Sequence, residues 1–184
     1  MKNTAMKSDF EFLKDLAGDF FKQESTMNRL SFIYKEREKI LDWEKWVQVE
    51  FAIHCQNHEK VASWDKEIRY ELDKRISKNK DTCVIDFWVR QKHKQSALGI
   101  EFKQHHSPEY CIKAMMNDVV KVLKVKSSQD DLRSIWCLGI HKAESQGSVK
   151  TTVMTYAKHH LIPLDENLIH SDEIGTTGYS FTIF

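Results

Sequence analysis

A carboxylate and an ammonium group stand two positions apart in residues 99–104, which read GIEFKQ. The stretch is rich in strand-forming residues, and side chains alternate between the two faces of a strand. Ile100 and Phe102 therefore point to one face. Glu101 and Lys103 point to the other, one pleat repeat apart. This pattern is typical either of an edge strand with a solvated face or of a strand that presents an acid and a base to a site.

A second carboxylate interrupts an apolar run, CVIDFWV at residues 83–89. Aspartate is depleted in strands, and a buried carboxylate needs a partner, so Asp86 is either a structural hydrogen-bond acceptor or part of a site. The short basic link after this run favours a hairpin with residues 97–104, in which Asp86 and Glu101 converge. The alternation predicts one face with Asp86, Val84 and Trp88, and an opposite face made of Cys83, Ile85, Phe87 and Val89.

Converging carboxylates repel each other, and a divalent cation between them relieves that repulsion. Oxygen ligands select Mg²⁺ or Mn²⁺ rather than zinc. A metal held in this way polarises a phosphodiester and generates hydroxide from water. A neighbouring ammonium group, here Lys103, orients the water or neutralises charge in the transition state. The pattern therefore predicts metal-dependent hydrolysis of phosphate esters, with the metal on Asp86 and Glu101.

Glu50 is the third candidate ligand. It belongs to a predicted helix, DWEKWVQVEFAIHC at residues 42–55, and lies seven positions after Trp43 on the apolar stripe of that helix. A glutamate on this stripe is unfavourable unless it is paired or binds a metal. Glu50 is therefore either a metal ligand or a rim residue that extends to solvent or pairs with an arginine.

These residues resemble the signature of the PD-(D/E)XK nuclease superfamily, which has the restriction-endonuclease-like fold. The signature is an aspartate on one core strand, matched by Asp86, and an acid-x-lysine on the next, matched by Glu101 and Lys103. Many members also carry a glutamate on the helix that precedes the sheet, which matches Glu50. The proline that precedes the aspartate in the family is replaced by Ile85 here.

The resemblance covers about residues 38–141 and implies a nuclease that uses Mg²⁺ or Mn²⁺ and acts on DNA. It implies Lys103, Asp86, Glu101 and Glu50 as catalytic residues, the three acids also holding the metal. Because the superfamily contains members without catalysis, a second class of function stays open. That class is a non-catalytic module on the same scaffold, which binds nucleic acid or a protein partner.

Hydrophobic periodicity predicts the elements that position these residues. Helices are expected at residues 8–35, with a break near Ser25, and at 36–57. The period then changes, and the remaining elements are strands at 66–72, 82–89 and 97–104, a helix at 108–124, a strand at 134–141, a helix at 146–160 and a strand at 177–184. Ser107 is the expected N-cap of the helix that begins at Pro108.

The three consecutive strands argue against a regular alternating α/β fold. We therefore expect an α/β fold of the α+β type, with a mixed central β-sheet flanked by helices and a restriction-endonuclease-like core. Residues 1–37 would form an N-terminal helical extension packed on the core, and residues 38–184 the nuclease-like part of a single domain.

Nucleic-acid contacts are expected on the helix after Pro108, whose polar side carries Lys113, Asn117, Lys121 and Lys124. Cations spaced along one helix face can follow phosphates, so Lys113 and Lys121 are candidate contacts, and the alternative is a solvated face. Gln104, where the strand runs into a loop, is a third candidate. The net charge is only +1, from 28 basic and 27 acidic residues, so nucleic-acid binding must use a local basic patch.

The cysteines and the apolar segments indicate a compartment. The cysteines lie in apolar segments without a CxxC pair, which is typical of buried thiols in a reducing cytosol; they are Cys55, Cys83, Cys111 and Cys137. No apolar run approaches the roughly 18 residues of a membrane span, and the first residues lack the apolar core of a signal peptide. We therefore expect a cytoplasmic protein without membrane contact.

Two further patterns remain as alternatives. His54 and His58 lie one helical turn apart, a spacing that zinc sites use, but the sequence has no second ligand pair at zinc-finger spacing. The long aromatic N-terminal helices either form a homodimer interface or pack on the same domain.

Overall fold

The computed structural model describes residues 2–125 and 131–184. The helices and strands of these residues are α1 (Lys2–Phe21), α2 (Glu24–Lys35), α3 (Glu44–Asn57), β1 (Val61–Glu71), β2 (Thr82–Gln91), β3 (Ala97–Gln104), α4 (Pro108–Val122), β4 (Leu132–Lys142), α5 (Gln146–His159), β5 (His170–Glu173) and β6 (Tyr179–Ile183). A short 3₁₀ helix, Glu166–Leu168, precedes β5. None of the described helices is both long and apolar enough to cross a membrane.

The strands form one mixed sheet in the order β1-β2-β3-β4-β6-β5. β1, β2 and β3 are antiparallel neighbours, whereas β3 and β4 are parallel. A parallel pair needs a crossover connection, which α4 supplies. β6 pairs antiparallel with both β4 and β5. The predicted α+β fold with a mixed central sheet and flanking helices is therefore confirmed, and the sequence pattern missed only the short edge strand β5 among the described strands.

The element boundaries follow local hydrogen bonding. α3 begins at Glu44 rather than near residue 36, because the chain turns after α2 and the N–H groups of Lys39 and Ile40 both donate to the carbonyl of Glu36. β3 spans the predicted residues. α4 begins where predicted, and the Oγ of its N-cap Ser107 accepts the N–H of a residue in the first turn at 3.5 Å.

One face of the sheet packs against α1 and α3 through an aromatic core. Phe51 of α3 is fully buried and meets Phe20 of α1 and Phe87 and Phe102 of the sheet, with ring centroids 5.3, 5.3 and 5.4 Å apart. The apolar side chains of α1 therefore share one core with the sheet. The apolar face of α1 that suggested a homodimer interface is the face that packs on the sheet.

α4 and α5 cover the opposite face of the sheet. α4 approaches β4 closely at Gly139, where an added Cβ would lie 2.2 Å from the Sδ of Met115. The absence of a side chain at this position lets the helix pack directly on the strand, and this contact fixes the height of α4 above β3 and β4. Cys111 and Cys137 are buried in this layer, and all four cysteines are free and buried.

Along β1 and β2, the side chains that point to one face of the sheet switch to the other face at one pair of opposed residues. Glu67 has a φ of 57°, and the pairing of Lys66 with Phe87 and of Ile68 with Ile85 places Glu67 opposite Asp86. Beyond this point the side chains enter a different core. Phe87 and Val89 belong to the aromatic core, whereas Cys83 and Ile85 pack with Tyr70 and Val122. The prediction that Cys83, Ile85, Phe87 and Val89 share one face is wrong, because the strand turns over at Asp86.

Candidate active site

The backbone pairing of β2 with β3 stops at Asp86, the aspartate that interrupts the apolar run of β2. Their paired register ends at Phe87 and Ile100, so the next opposed residues would be Asp86 and Glu101. The N–H of Phe102 donates instead to the Oδ2 of Asp86 at 2.9 Å. A side-chain carboxylate thus takes the place of a ladder carbonyl, and it holds the two strands together where the backbone pairing stops. The structure therefore brings Asp86 and Glu101 to one place.

Glu101 is buried beneath this junction, with only 1% of its surface exposed. Burial raises the pKa of Glu101 to about 8, and the negative charges of Asp86 and Asp118 act in the same direction. The Nζ of Lys121 lies 2.8 Å from its Oε1 and opposes the shift. The ammonium group therefore compensates the buried carboxylate only in part.

Lys103 lies on the same strand as Glu101 and enters the same cluster. Its Nζ is 2.8 Å from the Oδ2 of Asp118 and donates to the carbonyl of Phe102 at 2.8 Å. Burial lowers the pKa of Lys103, but Asp118, Glu44 and Asp86 together outweigh burial and raise it. Lys103 is thus held as a cation among carboxylates.

α4 contributes Asp118 and Lys121 to the cluster. The sequence pattern gave Lys121 a different role and gave Asp118 none. Asp118 pairs with Lys103, and its Oδ1 lies 3.1 Å from the Nζ of Lys121. Lys121 was predicted to contact nucleic acid, and in the structure its ammonium group lies within ion-pair distance of Glu101 and Asp118. The missed signal was the spacing of three between Asp118 and Lys121, which puts both on one face of a helix next to β3.

The helix glutamate of the cluster is Glu44, in the first turn of α3. Burial raises its pKa; Asp86 adds to that shift, and Lys103 and the backbone N–H of Gln104 oppose it. The side chain of Gln104 donates to the carbonyl of Leu41 at 2.7 Å. Gln104, a predicted nucleic-acid contact, therefore uses one N–H of its side-chain amide to tie the end of β3 to the segment before α3.

Glu50 is not part of the cluster. Its Oε1 is 2.5 Å from the Nη1 of Arg29 on α2. It follows Glu44 by six positions, which on an α-helix is about 9 Å along the axis and roughly 240° around it. The prediction of Glu50 as a metal ligand and catalytic residue is therefore wrong. The other interpretation of Glu50, a rim residue that pairs with an arginine, describes what the structure has.

The cluster contains carboxylate oxygens, the ligand type that a hard divalent cation prefers. Glu101 Oε1 and Asp118 Oδ2 are buried and at ion-pair distance from lysines, but within the described residues neither receives a bond with hydrogen-bond geometry. Over the same residues no group of three or more His, Cys, Asp or Glu side chains has metal-site spacing. Mg²⁺ is commonly held by one or two carboxylates, with water and substrate phosphates as the other ligands. Asp86 and Glu101 can supply such a pair, and a cation there would compete with Lys121 for Glu101.

The remaining candidate residues lie elsewhere. Lys113 lines a groove of about 810 Å³ between α4 and α5 and does not reach the ion cluster. His54 and His58 are bound to α1 and the segment after it: His54 Nδ1 is 2.8 Å from the side-chain nitrogen of Gln23, and His58 Nε2 is 3.4 Å from the carboxylate of Asp19. These contacts attach the two histidines to the N-terminal helical segment.

A comparison of the chain with protein-family models, with curated proteins and with solved structures found no match. The function proposed for the chain therefore rests on the side chains gathered around Asp86 and Glu101, and on the order of the elements that carry them.

Proposed function

We propose that this protein is a metal-dependent nuclease that hydrolyses phosphodiester bonds, with DNA as the expected substrate. The observation that carries the proposal is the opening between β2 and β3, where Asp86, Glu101 and Lys103 lie in one cluster of charges. Chains rarely bury a carboxylate such as Glu101 with partial compensation unless the group has a task.

Asp86 and Glu101 are the residues that would hold Mg²⁺ or Mn²⁺. When bound, the ion supplies polarisation of the phosphodiester and a lowered pKa for water. The chain orients Asp86 through the N–H of Phe102 at 2.9 Å. It keeps Glu101 away from bulk water, with only 1% of its surface exposed, so a cation bound by the ionised carboxylate would be little screened by solvent.

Lys103 supplies a fixed positive charge next to these carboxylates. Asp118 and the carbonyl of Phe102 each lie 2.8 Å from its Nζ and restrict where the ammonium group points. An ammonium group held in this way can orient the attacking water or neutralise charge that develops on the phosphate. Glu44, whose pKa is raised by burial and lowered by the charge of Lys103, adds a further carboxylate near this ammonium group.

The order of the elements also supports the proposal. α3, β1, β2, β3, α4 and β4 follow one another as one helix, three strands, one helix and one strand. This is the order that the resemblance to the PD-(D/E)XK superfamily implies. Asp86 lies on the second strand and Glu101 with Lys103 on the third, and Glu44 takes the helix position that the resemblance assigned to Glu50.

A second candidate function is a non-catalytic module on the same scaffold that binds nucleic acid or a protein. The observation that favours it is the pairing of both lysines: Lys121 lies 2.8 Å from Glu101 and Lys103 lies 2.8 Å from Asp118. In such a module these ion pairs would be structural, and the cluster would neither bind a metal nor activate a water molecule.

Cleavage assays distinguish the two functions. The wild-type protein and the variants Glu101→Gln and Glu50→Gln are incubated with supercoiled, linear and single-stranded DNA, with Mg²⁺, with Mn²⁺ and with chelator. We expect cleavage by the wild-type protein and by Glu50→Gln in metal alone, and loss of cleavage in Glu101→Gln. Glu50→Gln is the matched control because it removes one carboxylate from the same fold outside the cluster. Absence of cleavage by the wild-type protein on every substrate with either metal would contradict the nuclease proposal.

A further inference from the structure

A groove of about 620 Å³ lies between the loop that joins β1 to β2 and the C-terminal part of α4. Its charged lining consists of four lysines and one carboxylate, namely Lys78, Lys80, Lys121, Lys124 and Asp118. The chain as a whole has a net charge of only +1. The groove is therefore a local concentration of positive charge on a nearly neutral protein.

The loop and the helix are fixed to each other by backbone bonds. The N–H of Asp73, at the start of the loop, donates to the carbonyl of Lys124 at 2.7 Å. Leu72 forms an isolated β-bridge with Val125. Inside the loop, the Oγ of Ser77 donates to the carbonyl of Lys80 at 2.9 Å. The cations on the two walls therefore keep a defined separation.

Three of the groove lysines are available to a ligand. Within residues 2–125 and 131–184, no carboxylate lies within ion-pair distance of Lys78, Lys80 or Lys124. The other two cations of the loop are engaged: Lys74 lies 3.6 Å from Asp81, and Arg75 donates to Oδ1 of Asp73 through its Nε and to Oδ2 through its Nη2. Among the described residues, the charges of Lys78, Lys80 and Lys124 therefore have no carboxylate partner.

The groove is continuous with the candidate active site. Asp118 and Lys121 line the groove, and the same two side chains contact Lys103 and Glu101. A polyanion that lies along the groove would therefore reach the ion cluster through these residues.

We propose that this groove binds the sugar-phosphate backbone of the nucleic acid that the cluster cleaves. This inference rests on the proposed nuclease function. Lys78, Lys80 and Lys124 offer ammonium groups, which act on phosphates as point charges.

Binding measurements on the full chain test the groove. The affinity for a random-sequence DNA duplex and for the single strand is measured in chelator, so that no cleavage occurs, over a series of salt concentrations. In the triple variant Lys78→Gln, Lys80→Gln and Lys124→Gln, we expect affinity to fall at least about tenfold and the salt slope to flatten by up to about 2.7, because three phosphate contacts are lost.

The matched control is the triple variant Lys92→Gln, Lys94→Gln and Lys158→Gln, which removes the same charge from exposed positions outside the groove. It should bind nearly as the wild-type protein does. Replacement of the three groove lysines by arginine should restore affinity, which separates loss of charge from loss of folding. Equal weakening by the two glutamine variants, or wild-type affinity in the groove variant, would overturn the proposal.

The same variants separate this proposal from the nuclease proposal. Loss of binding in the groove variant, from a wild-type protein that cleaves no substrate, would support the groove and contradict the nuclease. Unchanged binding by the groove variant, with cleavage by the wild-type protein that Glu101→Gln abolishes, would overturn the groove and leave the nuclease in place.

Discussion

Lys103 of β3 and Asp118 of α4 form an ion pair, with 2.8 Å between Nζ and Oδ2, next to the point where β2 and β3 separate. The pair joins the sheet to the helix that crosses over it. Asp118 also contacts Lys121, whose ammonium lies 2.8 Å from Glu101. One carboxylate on α4 therefore positions both lysines of the cluster, although it carries no part of the acid-x-lysine pattern.

The role of Asp118 as a positioning residue can be tested by substitution. Asp118→Ala should lower the rate of cleavage roughly tenfold or more, because Lys103 loses the contact that directs its ammonium group. It should also move the alkaline limb of the pH–rate profile to lower pH, since Asp118 raises the pKa of Lys103. Asp118→Glu keeps the negative charge, so it should restore part of the cleavage rate and part of the position of the alkaline limb. An unchanged pH profile in Asp118→Ala would show that the ion pair serves only the fold.

Metal binding should be visible as stabilisation. A cation that binds only the folded chain at a hundred times its Kd adds about 2.7 kcal/mol to the free energy of unfolding. For a domain of this size that corresponds to a rise in Tm of roughly 5–10 °C. Asp86→Asn should abolish the rise in Mn²⁺ or Mg²⁺, and Glu50→Gln should retain it. A wild-type Tm that ignores saturating divalent metal would count against the ligand assignment.

The buried Glu101 predicts how the stability of the metal-free chain depends on pH. Its pKa is raised from 4.5 to about 8 in the folded state, so between these values the folded chain holds a proton that the unfolded chain has released. The free energy of unfolding therefore falls as pH rises through this window. Glu101→Gln removes this contribution.

The measurement is the Tm of the wild-type protein and of Glu101→Gln, in chelator, across that pH range. The difference, variant minus wild type, should grow steadily in favour of the variant toward the upper end. Curves that run parallel from about pH 5 to pH 8 would show that Glu101 titrates normally and is not a strained carboxylate.

The sequence predicted correctly those elements whose local residue pattern matches the burial and packing that they have in the fold. β3 is an example, since its alternation and its apolar composition both indicate a strand, and the N-cap Ser107 is another. Glu50 failed because periodicity marks a face of a helix without saying which element covers it: the stripe of α3 near Glu50 meets Arg29 of α2 rather than the sheet. To predict Glu44 as a residue of the cluster, one would have to know where α3 begins, and that depends on the turn at Glu36.

Residues that join the cluster through contacts between distant parts of the chain could not be predicted from the sequence pattern either. Asp118 and Lys121 join the cluster because Gly139 lets α4 lie close to β4, a contact between residues distant in the chain. The reversal of faces at Asp86 arises from a left-handed backbone at Glu67 on the neighbouring strand. Strict alternation assumes a regular strand, so it assigned Cys83 and Ile85 to the wrong face.

The most direct test of the nuclease proposal is the single-turnover cleavage rate and the DNA affinity of Lys103→Ala beside the wild-type protein, in Mg²⁺, with Lys158→Ala as the control for loss of one positive charge. In the proposed mechanism Lys103 acts on developing charge in the transition state, so Lys103→Ala should cleave slower by roughly two orders of magnitude or more while DNA still binds. Lys158→Ala should match the wild-type protein in both. If the wild-type protein cleaves and Lys103→Ala cleaves equally fast, then β3 is not the catalytic strand, and the roles given to Asp86, Glu101 and Lys103 are contradicted together.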